Sequence, residues 1–299
     1  YRWLNITANY LGFGLSPAVC ICLVYVLDRK TALRREIRTA VRIEIGYLIF
    51  LFVTIPCGMV FSVSADNIYS RGPHFYIYVV MYFGAILYLS ASTVITAREF
   101  QNRSRLLIYP LILFVMAETI IQVALPELHV TWLCVTLLSV LYFIYCSEMW
   151  NQLDALTGLL NQNSYLKQTG GVRCKGGVLV VFDVDDFKQI NDRYGHIQGD
   201  RCLAGIAECI KKSYANFGYC YRIGGDEFCV LLKNGGNEGR CKQEFLQRLQ
   251  EKRGEIAFLP TVSYGSAPFS GEDIVKVKDR ADQDMYQYKK ERKNRKRLS

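Results

Sequence analysis

The stretch that decides the fold is Tyr221-Arg-Ile-Gly-Gly-Asp-Glu-Phe-Cys-Val-Leu-Leu232. Apolar residues on both sides of a glycine pair are typical of two strands joined by a tight turn. We therefore predict strands at 219–223 and 227–232, with Gly224 and Gly225 as a two-residue turn between them. This hairpin would carry two acidic side chains, Asp226 and Glu227, at its tip.

A second acidic group follows the apolar run 178–184, whose β-branched residues predict a buried strand. Asp183 lies at the end of this run. If the strand neighbours the hairpin, Asp183 meets Asp226 and Glu227 at one edge of the sheet. Carboxylates that close repel one another and need cations. Hard oxygen ligands without His or Cys suit Mg²⁺ or Mn²⁺.

A nucleotide fits the same edge, because Mg²⁺ held by a few carboxylates usually completes its shell with water and substrate phosphates. The loop 184–188 opens a predicted helix at 187–194, so its backbone N–H groups can meet phosphates. Lys188 and the basic segment 289–293 supply cations if the last helix packs back onto the sheet. The residues alone therefore predict a Mg²⁺-dependent nucleotide site.

The remaining elements complete an α/β domain over 149–299, with a central sheet flanked by helices. Apolar residues at helical spacing predict a helix at 200–214. Further along the chain we expect a helix near 240–253, a strand near 258–266 and a long helix near 272–293.

The hairpin resembles the signature of the GGDEF, or diguanylate cyclase, family. Other blocks match that family in the expected order over nearly all of 152–293. They are Asp154-Ala-Leu-Thr-Gly-Leu-Leu-Asn161, Phe182-Asp-Val-Asp-Asp-Phe-Lys-Gln-Ile-Asn-Asp192, Tyr194-Gly-His-Ile-Gln-Gly-Asp200, Tyr221-Arg-Ile223, Ser263-Tyr-Gly265 and Ala281-Asp282 with Met285-Tyr286.

The resemblance implies an enzyme that joins two GTP molecules into cyclic di-GMP and releases two pyrophosphates. It implies a sheet like the palm of nucleotide cyclases and polymerases, and a homodimer, because each subunit would hold one GTP. Nucleic acid is not an expected partner. The metal ligands it implies are Asp183, the Val184 carbonyl, Asp226 and Glu227. The catalytic residues are Asp226, Glu227 and Lys188, and the nucleotide-binding residues are Phe187, Asn191, Asp200, Gly224, Gly225, Lys289 and Lys293.

Two of these assignments have simpler alternatives. Asp200 suits guanine because a carboxylate accepts from the ring and amino N–H groups, yet it could instead cap a helix that begins at Arg201. Asn191 could lie on a solvated helix face. For the whole domain, the alternative is a catalytically weak or inactive GTP-binding signalling or interaction module.

The sequence departs from the family at two functional places. The Arg-x-x-Asp of the family's product-inhibition site falls on Ala215 and Gly218, which predicts weak feedback inhibition. The family's Lys-x-x-x-Arg phosphate pair becomes Lys289 and Lys293. A lysine gives a point charge where arginine gives a fork, so phosphate binding should persist and weaken.

The first half of the chain has a different composition. Residues 1–148 carry 19 charged side chains, whereas residues 149–299 carry 44. Five apolar stretches have the length needed to cross a bilayer. We place them near 8–27, 43–63, 76–95, 106–125 and 129–147, as an all-α transmembrane sensor region in contact with the lipid bilayer.

Charge in the connectors sets the predicted orientation. Basic residues collect at 28–42 and at 98–105, and such loops face the cytoplasm. The second half would therefore lie in the cytoplasm of a bacterial cell, with the first half in the inner membrane. Glu118 and Gln122 share one face of the fourth stretch, as either a ligand or proton sensor or interhelical contacts.

The eleven cysteines and three histidines are scattered and contain no CxxC pair. This pattern disfavours a zinc site and a c-type haem. A transporter would need paired broken helices or internal repeats, which the apolar stretches do not show.

Overall fold

The computed structural model describes residues 1–27, 34–99, 131–170 and 176–298, with four short pieces between 109 and 121. The chain divides into two units, Tyr1–Met149 and Trp150–Ser299.

The first unit is built from long helices and one short β-hairpin. Its described elements are α1 (Arg2–Leu27), α2 (Arg34–Thr54), β1 (Phe61–Val63), β2 (Tyr69–Arg71), α3 (Tyr76–Glu99) and α4 (Thr131–Asn151). Within the described ranges, three segments are long and apolar enough to cross a membrane, namely Arg2–Val26, Tyr76–Thr96 and Leu133–Asn151. They overlap the first, third and fifth predicted spans.

The prediction for the second span is wrong in its second half. The helix α2 ends at Thr54, and residues 61–63 form β1, which pairs with β2 as an antiparallel hairpin. Pro56 cannot continue the helical hydrogen bonding, and Gly58 has a φ of 60°. The first unit is therefore not all-α. The N-terminal half of α2 is highly charged, and among the described helices α2 is not a candidate span.

Several predicted features lie outside the described residues. These are Glu118 and Gln122, most of the fourth span at 106–125, and the basic residues at 29–30 and 103–105.

Phe13, near the middle of α1, joins the helices of the first unit. Its ring lies 5.6 Å from the ring of Phe75 and 4.7 Å from the ring of Tyr78, measured between centroids. The hydroxyl of Tyr47 on α2 donates to the Phe13 carbonyl over 3.4 Å. Helix α1 therefore packs against both α2 and α3.

The second unit contains the predicted α/β domain. Its elements are α5 (Gln162–Thr169), β3 (Gly177–Val184), α6 (Phe187–Tyr194), α7 (His196–Tyr214), β4 (Gly218–Arg222), β5 (Glu227–Leu232), α8 (Glu238–Glu255), β6 (Val262–Phe269) and α9 (Ile274–Leu298). The four strands form an antiparallel sheet in the order β4-β5-β3-β6. The predicted central sheet with flanking helices is confirmed.

Strand β3 is continuously apolar because both faces of the sheet are covered. Successive side chains of a strand point to opposite faces. On one face, the Phe182 ring lies 5.1 Å from the ring of Phe245 on α8. On the other face, Leu179 and Val181 belong to the core that contains Val277 of α9. Asp183 continues this second row at the end of the strand.

The turn of the predicted hairpin is longer than expected. Four residues, 223–226, separate β4 from β5, and neither Gly224 nor Gly225 has a positive φ. The backbone N–H groups of Ile223 and Gly224 both donate to the Glu227 carbonyl, over 3.0 and 3.3 Å. These two hydrogen bonds close the turn without the mirror-image backbone that a two-residue loop requires.

Candidate active site

The sheet edge brings together acidic residues from two neighbouring strands. Asp183 on β3 is the direct partner of Glu227 on β5 in the antiparallel register. Directly opposite side chains on one face of a sheet have Cβ atoms about 5 Å apart, and like charges there are destabilising. The backbone N–H of Val184 donates to the Asp226 carbonyl over 3.2 Å, which fixes the turn to the end of β3. The edge therefore needs positive charge.

The glycine pair leaves room for these acidic side chains. A Cβ on Gly224 would lie 3.2 Å from both Cβ and Oε2 of Glu227, whereas a Cβ on Gly225 would meet nothing within 4 Å. Both glycines are exposed. The predicted role of these positions, to let a ligand approach the backbone, agrees with this open geometry.

Arg222 fastens the turn to the start of the domain. Its Nη2 donates to the Gly225 carbonyl over 2.7 Å, and its Nη1 donates to Asp154 Oδ1 over 3.0 Å. Burial opposes ionisation of Asp154. Hydrogen bonds from Thr157 and the pairing with Arg222 outweigh that effect and hold its pKa below the usual value.

The last helix supplies positive charge to the sheet edge. Lys289 Nζ on α9 lies 2.5 Å from Asp183 Oδ1 and 3.4 Å from Asp185 Oδ1. Burial would lower the Lys289 pKa, but the two carboxylates reverse this effect and raise it above the usual value. Asp183 and α9 occupy the same face of the sheet, so the last helix does pack back onto this edge, which was the condition for Lys289 to supply positive charge there.

Asp185 is the most extensively hydrogen-bonded carboxylate of this edge, and its side chain is only 12% exposed. Arg292 Nη1 donates to Oδ2 over 3.0 Å, and the Thr261 hydroxyl donates to the same oxygen over 2.8 Å. The Ser263 hydroxyl donates to Oδ1 over 2.7 Å. With Lys289, these contacts join β3, β6 and α9 at one point.

The helix α6 begins beside these carboxylates. Its N-cap residue, Asp186, has a left-handed backbone with φ 53° and makes no side-chain cap hydrogen bond. The first N–H groups of α6 are therefore open to an anionic ligand. Lys188, in the first turn, is exposed, and Phe187 is half-buried against the core.

Asn191 on α6 contacts α7 at Gly199, the residue before Asp200. The Asn191 side chain lies against Gly199, where a Cβ would collide with its Oδ1. Asp200 follows Gly199 and is exposed. Helix α7 begins at His196 and its N-cap is Gly195, so Asp200 does not cap this helix. Asn191 is half-buried and does not lie on a fully solvated face.

The expected group of three carboxylates is not assembled. Within the described ranges, no three Asp, Glu, His or Cys side chains are placed to hold a metal ion. Asp183 instead pairs with Lys289, which neutralises it. The Asp183–Glu227 pair still offers hard oxygen ligands to a divalent cation, so the donor chemistry fits Mg²⁺ or Mn²⁺. Nothing is described of the Lys293 side chain.

Of the residues that bind Asp185, only Lys289 was among the predicted site residues. Asp185 lies two positions after Asp183 and therefore shares its face of the sheet, which is a signal that the sequence contains. Thr261, Ser263 and Arg292 are 76 to 107 positions away from Asp185. Only the register of β6 and the packing of α9 reveal their contacts.

Comparisons with known proteins point to the same part of the chain. A family model described as "Diguanylate cyclase, GGDEF domain" matches residues 151–295. The chain is 40% identical over 96 residues to "Probable diguanylate cyclase DgcI" of Escherichia coli (strain K12), which covers 32% of this chain and 21% of that protein. It is 32% identical over 154 residues to "Diguanylate cyclase DgcS" of Shewanella oneidensis, which covers 49% of this chain and 52% of that protein.

Among solved structures, the chain is similar to the GGDEF domain of DgcB from Caulobacter crescentus in complex with c-di-GMP. The sequence identity is 27%, the TM-score is 0.41, and the match covers 46% of this chain and 90% of that chain. The chain thus spans 21% and 52% of the lengths of the two curated relatives.

Proposed function

Residues 151–295 belong to the GGDEF family of diguanylate cyclase domains, and we propose on this premise that the second unit condenses two GTP molecules into cyclic di-GMP. Two pyrophosphates would leave in the reaction. The observation that carries this proposal is the direct pairing of Asp183 with Glu227 across β3 and β5. Two opposed carboxylates at an exposed strand end are costly for folding alone, and useful where cations and phosphates bind.

A divalent cation, Mg²⁺ or Mn²⁺, would be held by Asp183, Glu227 and the Val184 carbonyl, with Asp226 beside them. When bound, such an ion supplies positive charge to the attacking 3′-hydroxyl, the α-phosphate and the leaving pyrophosphate.

The chain's own residues would bind and orient the nucleotide. Lys289 already lies at this edge, so its ammonium would stand next to the triphosphate, with Lys188 and the open N–H groups of α6 close to the phosphates. Lys293 would add a further positive charge. Asn191 and Asp200 would read guanine, because the Asp200 carboxylate accepts from its ring and amino N–H groups.

Catalysis would need a homodimer. One domain offers one nucleotide site, and the product contains two guanosine units that are joined by two phosphodiester bonds. Two domains would therefore face each other, each presenting the 3′-hydroxyl of its GTP to the α-phosphate of the other.

The first unit would anchor the protein in a bacterial inner membrane and control the cyclase. Support for this comes from the three segments that are apolar and long enough to span a bilayer. The third of them belongs to α4, which ends at Asn151, where the second unit has begun. The second unit would then lie in the cytoplasm.

The test uses the purified full chain in uncharged dodecyl maltoside micelles with GTP and Mg²⁺, and measures cyclic di-GMP by chromatography. Glu227→Gln keeps the side-chain shape and removes a ligand charge, so turnover should fall about 100-fold or more. Glu251→Gln removes the same charge from an exposed position on α8 and should change turnover less than about twofold. Equal turnover of wild type and Glu227→Gln would overturn the role of Glu227.

A second candidate is a GTP-binding module without turnover. The pairing of Asp183 with Lys289 favours it, because this ion pair competes with metal binding. The two functions separate in one measurement, since the module would bind GTP and yield no product at concentrations that permit dimers.

A further inference from the structure

A cavity of about 700 Å³ lies between α2 and α3 of the first unit, beside α1. Helix α2 contributes six residues between Arg35 and Glu44, and α3 contributes five between Val80 and Tyr88. On each helix, the lining residues follow one another at intervals of one and three positions, which places them on a single helix face. One face of α2 and one face of α3 therefore lie on opposite sides of the cavity. Sites for small organic ligands have about this volume.

Glu44 is the unusual residue of this cavity. It is 5% exposed, and neither oxygen of its carboxylate has a hydrogen-bond partner among the described residues. A buried polar group without a partner costs free energy, and a buried charge costs more. The cavity wall therefore contains a group whose interactions the described part of the protein does not complete.

The neighbouring helix α1 increases this cost. The cavity that Glu44 lines includes Ile21 of α1, and residues Arg2–Val26 of that helix are long and apolar enough to span a membrane. An ionisable group beside such a segment is expensive unless it has a partner or faces a cavity, and such groups usually serve a function.

The other charged residues of the lining lie at one end. Arg35 and Glu36 are exposed and carry opposite charges, so they compensate each other. Glu44 leaves the lining with a formal charge of −1. The remaining lining is largely apolar and includes Ile21 and Met81.

We propose that this cavity binds an organic monocation, a protonated amine that carries an apolar body. The ammonium would lie against the Glu44 carboxylate, and the apolar body would lie along the walls from α1, α2 and α3. A bare metal ion does not fit, because the apolar walls offer few oxygen ligands to complete its shell. Charge complementarity and volume together select this class of ligand.

Two glycines provide matched variants for the test. Gly84 lines the cavity, and a Cβ there would meet nothing within 4 Å. Gly46 on α2 has equally open surroundings but does not line the cavity. A leucine at Gly84 would extend from an uncrowded Cβ position on the cavity wall, whereas a leucine at Gly46 would extend from an uncrowded position outside the cavity lining.

The experiment measures equilibrium binding of three probes to the full chain in dodecyl maltoside micelles, which are uncharged and contain no ammonium. The probes are 4-phenylbutylamine, 4-phenylbutanol and 4-phenylbutyrate, which share one apolar body and differ in charge. Empty micelles give the partition background. We expect saturable binding of the amine, about tenfold weaker binding of the alcohol and still weaker binding of the acid.

Variants assign the binding to this cavity. Glu44→Gln should weaken amine binding about tenfold and leave alcohol binding nearly unchanged, because only the charge contact is lost. Glu36→Gln, at the exposed end, should change amine binding less than about twofold. Gly84→Leu should abolish binding of the amine and the alcohol, and Gly46→Leu should preserve both.

Three results would overturn the proposal: no saturable amine binding, equal affinity for the amine and the alcohol, or unchanged amine affinity in both Glu44→Gln and Gly84→Leu. If Glu44→Gln does not fold, the Gly84→Leu and Gly46→Leu pair decides the question. The readout is binding to the first unit, so its outcome does not depend on cyclase activity.

Discussion

The two units differ in the hydrogen-bond partners that they provide for a buried carboxylate. In the second unit, Asp185 is surrounded by Arg292, Lys289 and two hydroxyl donors. In the first unit, Glu44 is more deeply buried and has no hydrogen-bond partner in the part of the chain that the structure describes. A carboxylate with several bonds is part of the framework of a site, whereas a carboxylate without any leaves an interaction for a ligand to complete.

The comparison also separates two kinds of binding site. The sheet edge of the second unit is polar and open, and its carboxylates oppose each other across two strands. It therefore suits phosphates and divalent ions. The cavity of the first unit is largely apolar with one buried charge. It suits an organic cation.

Removal of divalent ions should have the largest effect. If the proposed nucleotide site depends on a metal, chelation with excess EDTA should reduce cyclic di-GMP formation about 100-fold or more, and Mg²⁺ or Mn²⁺ should restore it. The same treatment should leave 4-phenylbutylamine binding unchanged, since Glu44 needs no metal. Turnover that persists in EDTA would break the assignment of a metal to the second unit.

Truncation of the two carboxylates should affect stability with different signs. Asp185→Ala leaves Arg292 without its partner and should destabilise the second unit by about 3 kcal/mol. Glu44→Leu removes an unpartnered buried carboxyl and should leave the first unit equally or more stable. Hydrogen exchange of peptides from β3, α9 and α2 measures both effects in the full chain.

The exposed Asp192 on α6 provides the control for that pair. Asp192→Ala should change the free energy of opening, as measured by hydrogen exchange, by less than about 0.5 kcal/mol. A destabilised α2 in Glu44→Leu would mean that Glu44 stabilises the fold, and the contrast between the units would disappear.

Much of the second unit could be predicted from the sequence. Strand β3 and the hairpin follow from apolar runs that end in acidic residues, and the pairing of Asp183 with Glu227 follows if those strands are neighbours. The return of Lys289 to the edge was also predictable. The ligands of Asp185 were not, because Thr261 and Arg292 reach it only through the register of β6 and the packing of α9.

The first unit was predicted less well, for a physical reason. Apolar length indicates a span but does not show which helix faces meet, so the sequence does not predict the cavity or the burial of Glu44. The sequence Arg42-Ile-Glu-Ile-Gly46 does contain a signal for the unusual role of Glu44, since a lone acidic residue between isoleucines is unusual. The end of α2 at Thr54 was also missed, although Pro56 and Gly58 follow it.

Removing the charge of the exposed carboxylate of Glu208 should have a smaller effect on stability, and this effect should depend on pH. Glu208 on α7 lies 2.7 Å from Lys212 Nζ and 2.8 Å from Lys252 Nζ, and these contacts lower its pKa to about 2. A lowered pKa contributes stability above the unfolded pKa, near 4.5, and loses it as the pH falls toward 2. Because the side chain is 43% exposed, solvent limits the effect to about 1 kcal/mol or less.

The measurement compares the thermal unfolding of wild type and Glu208→Gln by circular dichroism. At pH 7 the variant should melt about 2–4 °C lower, and the gap should narrow below pH 4 and in 1 M salt. Glu251→Gln, whose described contact is to the neutral Gln247, is the control. A gap that is independent of pH and salt would contradict an electrostatic origin.

The smallest effect concerns a ligand pair that the second unit lacks. Ala215 and Gly218 replace the arginine and aspartate of the family's product-inhibition site, so cyclic di-GMP added at saturating GTP should slow turnover less than about twofold.

The backbone reinforces this loss. A Cβ on Gly218 would lie 2.3 Å from the Leu231 carbonyl oxygen, so an aspartate cannot stand there without moving β4 from β5. Ala215→Arg combined with Gly218→Asp should therefore fail to restore inhibition, and the single Ala215→Arg variant should behave like wild type. Strong inhibition of the wild type that persists at saturating GTP would show that the second unit binds its product through other residues.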